Sequence, residues 1–386
     1  MKKICVITGS RADYGLLKIL LTKIKKDKYF SLQLLVTGSH LSEEFGNTYT
    51  EIQKDGFNIS DKIEIILSSD TPSSVCNSIG LGVILFSKSF IKLKPDLVLI
   101  LGDRFELLSA STSALIHNIP IAHLHGGEKT TGAFDDSIRN AITKMSNIHF
   151  VTTEEYKNRV IQMGENKKNV FNFGGFGAEA AKKIGLFKKS EIEKKLKHKF
   201  FSKNIIVTYH PETHNVKSSK KIIKNIFKTI KHYPDVKFIF TLSNADPEGR
   251  IINNSIIKFV KNNKNCTYYH SLGQKMYYSI LNNIDAVLGN SSSGILEAPS
   301  FKIGTINIGN RQHGRVQAKS VINVNTNFLD IKLAVAKIFS KNFKLKLKYT
   351  KSPYYKINTS QNVLKVLKNI KEINTNKEFV DITFKN

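Results

Sequence analysis

Cysteine is scarce, and its scarcity excludes a good deal. The 386-residue chain has three (Cys5, Cys76 and Cys266), far apart and in no CxxC pair. There is no disulfide framework and no thiolate zinc site in that pattern, and the three read as buried reduced thiols. Long apolar runs are also lacking: no stretch approaches the ~18 apolar residues of a membrane span. Met1-Lys2-Lys3 leads into only four apolar residues before Thr8-Gly9, too short for the core of a signal peptide. The expectation is a cytoplasmic protein without a membrane partner. Acidic residues number 31 against 59 Lys and Arg, a formal charge of +28, yet only seven of the 59 are Arg. Base readout favours the Arg fork, and no motif interleaves Arg with aromatics. The surplus therefore reads as a solvated lysine surface and not a nucleic-acid footprint, though its field suits an anionic small molecule.

What is present is an alternation of short β-branched runs and longer segments of helical spacing. Strands are expected at 4–8, 32–37, 97–101, 119–123, 148–152, 205–209, 237–241, 286–288 and 305–308. Helices are expected between them, for example at 14–26, 105–117, 137–146 and 222–231. Continuous apolar strands alternating with helices indicate parallel sheets covered on both faces. The length suits two domains. A junction is expected in residues 174–202, which open on Gly174-Gly175-Phe176-Gly177 and turn lysine-heavy. The fold class is thus α/β, two Rossmann-like doubly wound domains facing a cleft. The first spans 1–175 and the second 176–360, with a C-terminal helix and frayed tail over 361–386.

In such sheets ligands bind beyond the carboxyl ends of the strands. Thr8-Gly9-Ser10-Arg11-Ala12-Asp13 follows the first strand: a phosphate or nucleotide contact through Arg11, or an ordinary turn capped by Asp13. Gly102-Asp103-Arg104 is either a salt-bridged cap or a carboxylate beside an anion-binding guanidinium. His125-Gly126-Gly127-Glu128 lets backbone approach a ligand, and Asp135-Asp136-Ser137-Ile138-Arg139 opens a helix that one Asp caps while the other acts. Several carboxylates at one crevice suit proton abstraction and return. His123 and His125 form an HxH pair without a third ligand, so no metal is expected. In the second half, His210 stands at a strand tip before Pro211, and Asn244 follows the next strand. Gly289-Asn290-Ser291-Ser292-Ser293 offers hydroxyls to a diphosphate, with Glu297 placed to accept ribose hydroxyls. Arg311 and Arg315 follow the strand after it.

Taken in order over residues 1–340, these segments resemble the UDP-N-acetylglucosamine 2-epimerase family, in its hydrolysing branch. The resemblance implies a glycosyltransferase-B-type fold and a reaction with no cofactor. A base removes the sugar C2 proton, the nucleoside diphosphate leaves by anti elimination, and the glycal is hydrated to the free manno sugar. It also implies Asp103, Glu128 and Asp135 or Asp136 as the acid/base set, Arg139 in support, and His210 at the diphosphate. Arg11, Asp13, Arg104, Asn244, Ser291, Ser292, Glu297 and Arg311 would hold the nucleotide, and a homodimer is implied. The substrate reads as UDP-N-acetylglucosamine, or as UDP- or GDP-N,N'-diacetylbacillosamine; a glycosyltransferase on the same frame is the further alternative.

Overall fold

The computed structural model describes residues 1–43, 46–67, 71–129, 134–210, 216–242, 249–370 and 373–382. Two compact units emerge. The first is built on Met1–Glu128, Phe134–Glu179 and Lys356–Asn386, the second on Ala180–Tyr355. The expected boundaries at 175 and 360 thus compare with divisions after Glu179 and Tyr355.

The first unit holds β1 (Lys2–Thr8), β2 (Phe30–Thr37), β3 (Asp61–Ile63), β4 (Leu97–Leu101), β5 (Ile121–Leu124), β6 (Ile148–Val151) and β7 (Val170–Asn172). All pair in parallel, in the order β3-β2-β1-β4-β5-β6-β7. Alternate side chains divide between two cores, as a strand's period of two requires. Ile4 and Val6 of β1 join Leu17, Leu20 and Leu21 of the helix Arg11–Lys26 on one face. Cys5 and Ile7 join Phe86, Phe90, Leu107 and Ala110 on the other. The order reverses beside β1, and the loops after β1 and β4 open at that switch.

The second unit repeats the plan with β8 (Lys203–Thr208), β9 (Val236–Thr241), β10 (Cys266–Tyr269), β11 (Ala286–Gly289), β12 (Gly304–Ile308) and β13 (Val321–Val324). They pair in parallel as β10-β9-β8-β11-β12-β13. One core runs through Ile205, Val207, Phe238, Phe240, Leu288 and Ile306.

Three expectations need correction. Cys76 is exposed, while Cys5 and Cys266 are buried. It lies in the helix Pro72–Leu93, which buries Ser74, Ser78, Gly82, Phe86 and Ser89; two residues on from Ser74, Cys76 falls on the opposite side. That same helix is, by length and composition alone, apolar enough to cross a membrane, contrary to the absence of any such stretch. Its Ser and Gly stripe packs on the helix Phe105–Ile116, where a Cβ on Gly82 would meet Ser109 at 2.7 Å. The tail, finally, is not frayed from residue 374. The helix Thr359–Asn369 buries Val363, Leu364 and Leu367 in the first unit's core, each side chain contributing about 1.5–3 kcal/mol. Beyond it, Val380 N–H donates to Gly164 (3.0 Å), and the Lys377 ammonium donates to the Lys144 and Ser146 carbonyls (both 2.7 Å).

Lys377 also reaches Glu165 (2.6 Å), a buried carboxylate that takes Lys144 (2.7 Å) and His149 Nε2 (2.9 Å) as well. Burial alone would push the Glu165 carboxyl up, but these three partners hold it down at about 2. Its folded value lies below the ordinary 4.5, so its contribution is complete above about pH 4.5 and fades as the pH falls toward 2. Glu165→Gln is expected to cost about 3–5 kcal/mol at pH 7 and distinctly less at pH 3.5. Urea denaturation at the two pH values reads both, and an equal loss at each contradicts the assignment.

Candidate active site

Each unit carries its own cluster at the carboxyl ends of its strands. In the first, the chain leaves β4 through Gly102, whose φ is +93, and presents Asp103. It leaves β5 into His125 and Gly127, at φ +65 and +73, before Glu128. The helix Asp135–Met145 brings Arg139 beneath both. Arg139 is 3% exposed and donates to the Asp103 carboxylate and to the His125 carbonyl (2.9 Å). The amino group on the His125 carbonyl also stands 3.9 Å from Glu128 Oε2. Burial alone would lower the guanidinium's proton affinity, but Asp103, Glu128 and Asp136 together raise it, so the cation is permanent. Glu128 is 3% exposed, accepts from the Thr152 hydroxyl (3.0 Å), and lies 3.3 Å from His125 Nδ1. One buried guanidinium therefore gathers two carboxylates from two different loops. Asp135 and Asp136 occupy the first helical turn; the N-cap is Phe134, so neither Asp caps the helix as expected. The HxH pair diverges: His123 meets the Gly102 carbonyl (2.8 Å) and Thr143 (3.2 Å), and burial brings it down to about 3, so it is neutral.

Beside this centre, after β1, the Ser10 hydroxyl caps the helix Arg11–Lys26 by accepting from Asp13 N–H (3.3 Å) and donates to the Asp13 carboxylate (2.8 Å). Burial pushes Asp13 up to about 6, although Arg104 pulls the other way. Arg104 is fixed by Glu106, which accepts from Nε (3.2 Å) and Nη2 (2.9 Å). Glu106 is fully buried, and a Cβ on Gly38 would come within 2.5 Å of its Oε1. Only glycine at position 38, itself at φ +59, lets that loop close on the Arg104–Glu106 pair. Arg11 pairs with Glu51 (2.9 Å) at the surface.

In the second unit Gly289 ends β11 at φ +136, where any Cβ would strike the Thr208 carbonyl. Asn290 follows, fully buried, and ties three segments together. Its side chain accepts from His210 N–H (2.7 Å) and donates to the His210 carbonyl (2.8 Å). Its own carbonyl accepts from Arg311 (3.1 Å) and Gln312 (2.9 Å). His210, Ser291, Ser292 and Arg311 are thereby brought to one place. Ser293 accepts from the Tyr277 hydroxyl (2.8 Å), and burial raises the proton affinity of Glu297. Asn244 lies outside the described residues.

The family model for UDP-N-acetylglucosamine 2-epimerase matches residues 22–368. The chain belongs to that 2-epimerase family. It is 44% identical over 344 residues, 89% of each chain, to the GDP/UDP-N,N'-diacetylbacillosamine 2-epimerase (hydrolyzing) of Campylobacter jejuni. It is 38% identical over 385 residues, 99% of this chain and 98% of the other, to the polysialic acid biosynthesis protein P7 of Escherichia coli. The S. aureus MnaA–UDP structure superposes with a TM-score of 0.82 at 18% identity, over 99% of this chain and 100% of that one. The likeness to that structure shows the fold, the expected glycosyltransferase-B class of two doubly wound α/β units.

Sequence reasoning missed three residues of this candidate site. Asn290 stood inside a quoted motif, and the signal was an Asn directly after a strand-ending glycine. Glu106 falls in the first turn of the helix Phe105–Ile116, where an acid is ordinary, so nothing in the sequence singles it out. Thr152, after β6, gave no signal, since its role is defined only by the approach of Glu128 (3.0 Å).

Proposed function

We propose that the protein is a hydrolysing nucleotide-sugar 2-epimerase. The single observation that carries this is the buried Arg139 gathering Asp103 and Glu128. A sugar C2–H is a weak acid, so removing its proton takes a carboxylate in a desolvated, electrostatically prepared setting. A carboxylate of the set Asp103, Glu128, Asp135 and Asp136 takes the proton from C2. The C2–H electron pair forms C1=C2 while the C1–O bond breaks and the nucleoside diphosphate leaves. Water then adds its hydroxyl to C1, and a proton returns to C2 from the opposite face. The products are the free 2-acetamido manno sugar and the nucleotide. In the second unit, His210, Ser291, Ser292 and Arg311 would hold the diphosphate and Glu297 the ribose hydroxyls. In the first, Arg11, Asp13 and Arg104 would complete the nucleotide's contacts. No redox or metal chemistry enters these steps.

The sugar is a 2,4-diacetamido-2,4,6-trideoxyhexose by this reading, supported by the 44% identity to the Campylobacter jejuni enzyme. UDP-N-acetylglucosamine is the second reading, supported by the description of the matching family model. Either product feeds a condensation that builds a nonulosonic acid. The protein acts as a homodimer in this reading. Incubating it with each nucleotide sugar in turn, and measuring nucleoside diphosphate and free sugar, separates the two. Turnover of the diacetamido substrate at higher kcat/KM supports the first reading. A preference for UDP-N-acetylglucosamine selects the second, and transfer to an acceptor without free sugar overturns both.

A further inference from the structure

We propose that His125 is a positioning residue for Glu128: its ring holds the Glu128 carboxylate in place for proton transfer, without itself touching the sugar. The proposal rests on the reading of Glu128 as part of the acid/base set.

His125 sits at φ +65, a left-handed conformation that side chains seldom adopt, and is 6% exposed. The surroundings hold it there. Its N–H donates to the Phe150 carbonyl (2.8 Å), and its own carbonyl accepts from Arg139 (2.9 Å). Its ring lies nearly flat on Phe176, 5.8 Å between centroids and 17° between planes. The two glycines that follow are locked as well. A Cβ on Gly126 would sit 3.1 Å from both His123 and Thr143, and one on Gly127 would sit 2.7 Å from the Tyr156 carbonyl. The backbone between His125 and Glu128 thus has little room to drift. The imidazole is delivered with Nδ1 3.3 Å from Glu128 Oε1. Buried against Phe176, the ring reaches the reaction through the carboxylate.

The groups facing the pair come from every element around it. Arg139, on the helix Asp135–Met145, approaches Glu128 Oε2 to 3.9 Å and binds Asp103 from the loop after β4, and Asp136 acts on Arg139 from the same helix. Just after β6, Thr152 donates to Oε1 (3.0 Å). Arg159, on the helix Glu154–Gln162, donates to the Gly127 carbonyl. His123 on β5 and His149 on β6 are both driven toward the neutral form, chiefly by burial. His125 Nδ1 faces Oε1 at 3.3 Å, so its loss is expected to make the carboxylate easier to protonate.

Two variants separate holding from folding. His125→Gly removes the ring and suits the left-handed backbone. His125→Asn also tolerates that backbone and places an amide N–H close to where Nδ1 stands. The readouts are the 13C-detected titration of the Glu128 carboxyl, assigned by its absence in Glu128→Gln, and the pH dependence of kcat. In His125→Gly we expect the Glu128 midpoint and the acidic limb of kcat to move to higher pH. We also expect kcat to fall roughly 10–100-fold with KM within about threefold. In His125→Asn both pH values return toward the parent and most of kcat is restored. A midpoint unmoved in His125→Gly, or His125→Asn as impaired as His125→Gly, overturns the proposal. If the parent protein turns over neither nucleotide sugar, the proposed function fails, while the carboxyl titration still decides what His125 does.

Discussion

Glu128→Gln is expected to lower kcat for release of the free sugar by about 10²–10⁴-fold, with KM changed only a few-fold. The substitution keeps the shape of the side chain and an oxygen for Thr152 to donate to, so the fold is spared. What it removes is the charge, and with it the capacity to take or give a proton beside Arg139. In the proposed function the second unit's loops hold the nucleotide and would dominate KM, so the loss is expected to fall on kcat. Steady-state kinetics across pH 6–9 test this. Activity that recovers at high pH, or a loss confined to KM, would contradict a proton-transfer role.

Arg139→Ala is the larger lesion. It strips the shared cation from Asp103 and Glu128 and leaves the His125 carbonyl without its donor. Breaking a buried charged network by removing one partner costs about 3–5 kcal/mol. The electrostatic preparation of the site disappears with it, so kcat/KM is expected to fall at least about 10³-fold. The acidic limb of the pH profile should move up, because each carboxylate binds its proton more readily once the guanidinium is gone. Arg139→Lys should recover part of the stability but little of the rate, since one ammonium cannot reproduce a fork that reaches two loops at once. Urea denaturation and kinetics on both variants read these effects. A lysine variant with near-parent kcat/KM would mean that charge alone suffices and that the fork geometry has no part.

How much of this was legible in the sequence follows from where each element lies in its sheet. The nine expected strands are the interior ones, largely buried and rich in apolar residues, as in the five fully buried residues of β4. The four that escaped notice, β3, β7, β10 and β13, are the outermost strands of the two sheets. They are three or four residues long and partly exposed, so even Val321-Ile322-Asn323-Val324 is too short a run to stand out from a loop, and Asp61-Lys62-Ile63 has only one apolar residue. The loops of the candidate site were legible for a related reason: an open parallel sheet sends its ligands to the ends of the central strands, and those strands were the visible ones. Their pairing was not legible. That Arg139 takes Asp103, 36 residues away, or that Asn290 clasps His210, 80 residues away, depends on packing that no local pattern encodes. The same holds for Arg104, whose partner Glu106 lies two residues on but is enclosed by a loop that closes on it only because Gly38 leaves room around the carboxylate.

The central claim is that the reaction passes through loss and return of the C2 proton, with water taking the place of the nucleotide. The most direct test runs the reaction in deuterated water and follows it by proton NMR. The account predicts free manno-configured sugar, one equivalent of nucleoside diphosphate, and deuterium at C2 of essentially every product molecule. Product that keeps its C2 hydrogen, or a sugar that emerges inverted but still joined to its nucleotide, would contradict it.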